Sequence, residues 1–153
     1  MWTPFNYFVG EWKGKGRGQP GTSRVERKYE LVLNGKFLFV QSKSIYEPQD
    51  KNPNGEVHED WGVISYDRTR ETYVFRQFHI EGFVNQYLLD QIAEDDQTIR
   101  FVTEAIENIP PGWRARESYH ILGPDEFIEV FELAPRDKDF KIYTENRFQR
   151  ILT

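Results

Sequence analysis

Turn-forming clusters interrupt the sequence about every 10 to 15 residues, and this spacing restricts the possible fold more than any other feature. Between the clusters lie short runs in which apolar and polar residues alternate, with many Phe, Tyr and Trp. Such runs are typical of an all-β sandwich or barrel. They predict ten strands, over residues 11–18, 22–33, 36–46, 57–66, 71–80, 83–92, 98–107, 113–122, 126–134 and 140–151.

Short connections between these runs make consecutive strands antiparallel neighbours. An open sheet of ten strands would expose two unpaired edges, and closure into a barrel removes them. We therefore predict an antiparallel up-and-down β-barrel that forms a single domain over residues 1–153. A short helical turn between Pro4 and Val9 is expected to cover one end of the barrel.

Composition narrows the choice of partners. The chain carries 20 Lys and Arg against 25 Asp and Glu, a net charge of −5, which disfavours nucleic acid and anionic membranes as partners. It has no Cys and no apolar run near the roughly 18 residues that cross a bilayer. Its first residues do not resemble a signal peptide, so a cytoplasmic location is expected. The sequence leaves open whether the chain forms a homodimer.

The orientation of some strands follows from one hairpin. Asn34-Gly35 favours a tight turn that pairs Tyr29 with Val40 and turns both inward. Alternation in the other runs extends this inner face, and His79 or Arg116 is the expected polar anchor for a ligand. The predicted ligand-binding wall comprises Trp12, Tyr29, Val40, Trp61, Phe75, Tyr87, Phe101 and Phe148.

Two turns leave the orientation of their strands open, because a shift of one residue moves every side chain across the wall. A two-residue turn at Glu81-Gly82 would place Phe78 on the face of Asn85, whereas a three-residue turn with a glycine bulge would place His79 there. At Gly123-Pro124-Asp125 the alternatives are an inward face with Arg116 and His120 or one with Glu117 and Tyr119.

The expected interior mixes large aromatic residues with Ser, Thr, Asn and Gln. A sealed core is usually apolar, and a barrel of ten strands is wide enough to hold a ligand. The sequence therefore predicts a non-enzymatic protein that binds or carries a small apolar or aromatic molecule. The alternative is a barrel whose polar interior groups bond to each other and bind nothing.

The other motifs in the sequence predict no phosphate-binding, metal or catalytic site. The segment Gly10–Gly18 lacks the following helix that a phosphate-binding loop needs, so it is interpreted as a strand. The spacing of His58, His79 and His120 predicts no metal site, and no nucleophile motif predicts a catalytic residue. The carboxylate pairs Glu59-Asp60 and Glu126/Glu129 are expected on strand rims or the solvated face.

Residues Phe8–Gly18, with Asn34-Gly35-Lys36-Phe37-Leu38, resemble the start of nitrobindin-like haem-binding barrels. That family is grouped with lipocalins and fatty-acid-binding proteins as calycins. The segment from Trp61 to Asp67, followed by Tyr73, is similar to a bacterial calycin-like family of unknown function. The resemblance is motif-specific over residues 8–18, 34–40 and 61–73, and it implies a calycin-like barrel.

The resemblance also implies haem, bound in that family by a histidine near the C-terminus. This chain has no histidine after His120, and Tyr143 falls nearest to the matching place. Haem binding through another iron ligand is therefore an alternative function. A further alternative is an isomerase or lyase that acts on a bound lipid or pigment, which would need an inward charged residue such as Arg76, Arg116 or Glu117.

Overall fold

The computed structural model describes residues 1–152 and confirms the all-β barrel. Each predicted strand end lies within one residue of the observed one. No helix in residues 1–152 is long and apolar enough to span a membrane. The strands are β1 (Gly10–Gly18), β2 (Ser23–Val32), β3 (Phe37–Tyr46), β4 (Glu56–Asp67), β5 (Thr72–His79), β6 (Val84–Ile92), β7 (Thr98–Glu107), β8 (Arg114–Gly123), β9 (Glu126–Ala134) and β10 (Lys141–Arg150).

The barrel closes between its first and last strands. Each strand pairs antiparallel with its sequence neighbours, and β1 pairs with β10. The glycines of β1 make this closure possible, because a Cβ atom on Gly14 would lie only 2.9 Å from the ring of Phe148. The glycine-rich segment is thus a strand that allows close packing, as the sequence predicts.

A short N-terminal segment closes one end of the barrel. It contains a 3-10 turn over Asn6–Phe8, as expected, and inserts the buried side chains of Trp2, Phe5 and Phe8. The Trp2 indole donates a hydrogen bond to Gly35 O at 2.7 Å, and Tyr7 Oη donates to Gly123 O at 2.8 Å. These bonds join the segment to the β2–β3 and β8–β9 turns, so we call this the plugged end.

The observed register confirms the predicted hairpin and settles the open orientations. Tyr29 pairs with Val40. The β5–β6 turn spans three residues, with Gly82 at φ 98° and His79 N bonded to Phe83 O at 3.1 Å. His79 therefore shares the inner face with Asn85, as in the glycine-bulge alternative. At β8 the buried face carries Glu117 and Tyr119.

The predicted inward orientation of Trp61 is wrong, and of the two candidate anchors Arg116 does not face inward. Trp61 lies on the outer wall and is 58% exposed, because the ring of Phe75 fills the interior beside Gly62, where a Cβ atom would lie 2.5 Å from it. Arg116 also lies outside, where it forms an ion pair with Glu132 at 2.8 Å. It faces outward because its neighbour Glu117 takes the inner face.

Candidate functional site

A cavity of ≈ 470 Å³ opens at the end of the barrel opposite the plug. It is much larger than the void beneath the plug, which measures only ≈ 10 Å³. The β1–β2, β3–β4, β5–β6, β7–β8 and β9–β10 connections surround its mouth, because consecutive antiparallel strands alternate in direction. The cavity therefore has one accessible end.

The outer part of the cavity wall is mainly apolar. It derives from the β5–β6 turn, from β7, β9 and β10, and from the β7–β8 loop. These side chains offer a surface on which an apolar or aromatic molecule could be buried. They are Phe83, Ile106, Ile109, Pro110, Trp113, Phe131, Leu133 and Tyr143.

The cavity floor is polar and centres on a buried ion pair. Arg27 Nη1 and Nη2 donate to the two carboxylate oxygens of Glu129, at 2.7 and 3.0 Å. Asn146 donates to Glu129 Oε1 at 2.9 Å, and Arg27 Nε donates to Ser42 Oγ at 3.0 Å. This bidentate geometry satisfies charges that would otherwise be costly to bury.

Glu117 lies on the floor beside this pair and is only 3% exposed. Burial raises its pKa well above the ordinary value, and the adjacent Glu129 carboxylate raises it further. Burial also acts on Glu129, but Arg27 holds the pKa of that carboxyl below its usual value. The pKa values of the two carboxyl groups are therefore pushed apart, and a proton shared by the pair resides on Glu117.

Glu117 shares a hydrogen bond with Glu129, and its Oε2 atom accepts none. Its Oε2 atom is buried, and no donor in residues 1–152 reaches it. A buried acceptor without a donor costs roughly 1–3 kcal/mol. Because Glu117 lines the cavity, a small rotation of its carboxyl group would bring this oxygen within reach of a ligand hydroxyl or N–H group.

A second polar cluster occupies the side of the cavity formed by β4 and β5. His58 Nδ1 lies 2.7 Å from Glu81 Oε1, and His58 Nε2 lies 3.4 Å from Asp60 Oδ2. Burial lowers the pKa of His58, but these carboxylates outweigh it and raise the pKa to about 9. Burial lowers the pKa of the neighbouring His79 to about 4. At neutral pH the first imidazole is charged and the second is neutral.

The charges of the floor balance. Arg27 is paired with Glu129, and protonated His58 is paired with Asp60, whose other oxygen accepts from Gln77 at 3.1 Å. His79 is uncharged, and the pKa of Glu117 is shifted toward the neutral form. Apart from the acidic side chains Glu56 and Glu81 at the mouth, the ionised side chains of the interior occur in pairs.

The predicted wall residues are mostly buried elsewhere. Of the ten, His79 alone lines the cavity. Trp61 and Arg116 lie outside, and the remaining seven are buried in the barrel without lining it, since the plugged end is where large aromatic side chains fill the interior. These seven are Trp12, Tyr29, Val40, Phe75, Tyr87, Phe101 and Phe148. Whether any of the ten binds a ligand stays a prediction.

Two carboxylates of the cavity, Asp60 and Glu129, were not predicted from the sequence. Asp60 and Glu129 were expected on rims or the solvated face, yet they are 9% and 4% exposed. They lie inside because Asp60 alternates with Gly62 and Glu129 with Phe127, which both face inward. Of the charged residues Arg76, Arg116 and Glu117 named for an isomerase or lyase, only Glu117 lines the cavity.

A repeated pattern marks the floor. On six strands a buried polar residue lies two positions from a buried aromatic one, and the order reverses between even and odd strands, as antiparallel neighbours require. Both members point inward, so the polar residues form one layer and the aromatic residues the next. The pairs are Arg27/Tyr29, Gln77/Phe75, Asn85/Tyr87, Glu117/Tyr119, Glu129/Phe127 and Asn146/Phe148.

Comparison with known proteins shows the fold and no family. No protein-family model matches the chain, and no curated protein matches it significantly. The crystal structure of Rv2717c from M. tuberculosis matches with a TM-score of 0.71 at 15% identity, over 99% of this chain and 97% of that one. The S-type phycobiliprotein lyase CPES from Guillardia theta matches with a TM-score of 0.58 at 13% identity, over 97% and 91%. Both share the barrel architecture.

The residues around the cavity do not suit haem. Tyr143 lines the cavity, but burial raises its pKa and so disfavours the phenolate that would bind ferric iron. The tyrosine nearest to the place of the family's histidine is therefore a poor ligand for ferric iron, and we do not propose haem.

Proposed function

We propose that the protein binds a small, uncharged amphipathic molecule in the open end of the barrel. The body of the ligand would lie against the apolar outer wall, and a hydrogen-bond donor would reach the carboxyl group of Glu117. The single observation that carries this proposal is that this carboxyl lies at the base of a ≈ 470 Å³ cavity with one oxygen that accepts no hydrogen bond.

The size of the cavity supports a small organic ligand. Pockets for such ligands usually measure about 300–1,000 Å³ and combine apolar walls with a few polar groups. The outer wall supplies aromatic and aliphatic surface, including Phe83, Trp113 and Phe131. Burial of apolar ligand surface there would supply most of the binding free energy, at about 25 cal/mol per Å² before the costs of association.

The polar floor determines the kind of head group. An anionic head would compete with Glu129 for Arg27, and a cationic head would compete with Arg27 for Glu129. Either exchange leaves a buried charge without its partner, which is costly. A neutral hydroxyl or amide N–H instead satisfies Glu117 and breaks no existing bond. The ligand is therefore more polar at one end than the sequence alone predicts.

A matched pair of ligands tests this reading. We expect 4-phenylphenol, which carries a hydroxyl donor, to bind with an affinity about threefold to tenfold higher than 4-methoxybiphenyl, which does not. Calorimetric titration of the wild-type protein measures both constants. In Glu117→Met the ratio should fall to about one, since the acceptor is gone while Glu129 keeps Arg27 and Asn146.

Two tryptophan variants locate the bound molecule. Trp113→Ala, at the cavity, should weaken binding of both biphenyls, whereas Trp61→Ala, on the outer wall, should leave both constants unchanged. Circular dichroism checks that each variant folds. Equal affinities for the two biphenyls in the wild type would contradict the role of Glu117, and absence of binding by both would contradict the proposed function.

A further inference from the structure

Two of the three histidines, which are 21 residues apart in sequence, meet at the wall of the cavity beside a glutamate. His58 lies on β4, His79 ends β5, and Glu81 follows in the β5–β6 turn. One donor atom from each of the three lies within 4.8 Å of the others. We propose that His58, His79 and Glu81 bind one divalent transition-metal ion of the zinc class.

The fold itself brings the three residues together. β4 and β5 are antiparallel and pair Asp60 with His79, which places His58 one inward position further along the same wall. The backbone bond from Ile80 N to Glu59 O, at 2.9 Å, extends this pairing into the turn. Gly82 then turns the chain at φ 98°, so that Glu81 lies over His58.

The distance between the imidazoles suits tetrahedral coordination. His58 Nε2 and His79 Nδ1 are 3.4 Å apart. Two nitrogens bound to one zinc ion at about 2.0–2.1 Å with tetrahedral angles are separated by about 3.4 Å. A shift of the Glu81 carboxylate, which is 41% exposed at the turn, would complete a set of two histidines and one carboxylate.

The surroundings hold the ligands in place. The ring of His79 stacks on Phe83, with centroids 4.3 Å apart, and its Nε2 faces the carboxamide of Asn85. Asp60, fixed by Gln77, lies 3.4 Å from His58 and supplies negative charge beside the ion. Polar partners around a metal ligand fix its orientation and increase affinity.

The donor set indicates the class of metal. Imidazole nitrogen with one carboxylate favours Zn²⁺ and its first-row neighbours over Mg²⁺ and Ca²⁺, which prefer oxygen ligands. Three protein ligands leave a fourth position, as in catalytic zinc sites. Because these residues line the cavity, that position would be accessible to a small molecule or to water.

Metal titration of the full chain tests this site without an organic ligand. We expect Co²⁺ to bind at a stoichiometry of one with the visible absorption of a tetrahedral complex, Zn²⁺ to displace it, and Mg²⁺ to leave it in place. His58→Ala and His79→Ala should each lower the affinity for Co²⁺ more than about 100-fold. This exceeds the loss expected when the replaced residue only contacts a metal ligand. Glu81→Gln should lower the affinity at least about tenfold.

His120 provides the matched control, since it lies outside the cluster and its Nδ1 is 3.3 Å from Thr98 Oγ1. His120→Ala should bind Co²⁺ as the wild type does. If a cluster variant fails to fold, imidazole NMR of the wild type decides, with Zn²⁺ expected to shift the resonances of His58 and His79 and not those of His120. Weak binding of several equivalents of Co²⁺ would overturn the proposal. So would a loss of Co²⁺ affinity in His120→Ala equal to that in the cluster variants.

Discussion

The two ends of the barrel are built from the same strands yet have opposite interiors. At the plugged end, Phe127 packs against Phe8 and Phe148, and the remaining void is ≈ 10 Å³. One inward position further along β9, Glu129 binds Arg27 at the edge of a ≈ 470 Å³ cavity. A step of two residues along each strand thus separates a packed core from a candidate binding site.

The difference arises from what fills each end. Tyr29, Tyr119, Phe127 and Phe148 pack at the plugged end, where Trp2, Phe5 and Phe8 supply the remaining apolar surface. The side chains of the polar layer beneath the cavity form hydrogen bonds with one another. Packing apolar side chains against these polar groups would cost free energy. A ten-strand barrel therefore remains open at the end where its inward residues are polar.

The largest expected effect compares the packing of the two ends by shortening one phenylalanine of β9 at each end. Phe127→Ala should lower the free energy of unfolding by about 3–5 kcal/mol, because the surrounding aromatic rings cannot close the hole. Phe131→Ala, on the inner face of β9 at the cavity, should cost about 1–2 kcal/mol, since its side chain already borders open space. Urea unfolding measures both. Equal losses would mean that the two ends are equally packed.

The polar floor predicts the next effect. Arg27→Met should cost about 3 kcal/mol at neutral pH, because it leaves the Glu129 carboxylate buried without its cation. Arg147→Met removes a surface partner from Glu126 on the same strand, and we expect a much smaller shift of the urea midpoint. Similar shifts in the two variants would show that the floor is hydrated well enough to screen its charges.

Glu117 predicts a smaller effect that depends on pH. Its pKa is raised in the folded state, so the native protein holds a proton that the unfolded chain has lost above the ordinary pKa of Glu. Wild-type stability therefore decreases as pH rises from that value toward the folded pKa, by up to about 1.4 kcal/mol per pH unit. Glu117→Gln lacks this dependence, so its free energy of unfolding should increase relative to that of the wild type as pH rises.

Measurements of unfolding free energy between about pH 5 and pH 8 test this dependence. The two proteins should have similar stability at the acid limit and diverge above it. Glu126→Gln is the control, because the pKa of that surface carboxyl is lowered by Arg147 and its removal should produce no such gain. A constant difference between Glu117→Gln and the wild type would indicate that Glu117 is ionised in the native protein.

Little of the candidate site was predicted from the sequence, because periodicity alone did not locate it. The alternation around Trp61 and Gly62 fits either orientation, and an aromatic residue is ordinarily the better candidate for the interior. The structure reverses that choice, since Phe75 already occupies the space beside Gly62. Contacts between non-consecutive side chains decide such cases, and hydrophobic patterns do not record them.

The sequence by itself determined the number, direction and ends of the strands, because period-two alternation and turn residues are local properties. It also determined the pairing of Tyr29 with Val40, which depends on the short connection around Asn34-Gly35. Only the tertiary structure decided that Arg27 meets Glu129, 102 residues away, and that His58 meets His79. Barrel closure and strand register create these contacts, and both are properties of the whole chain.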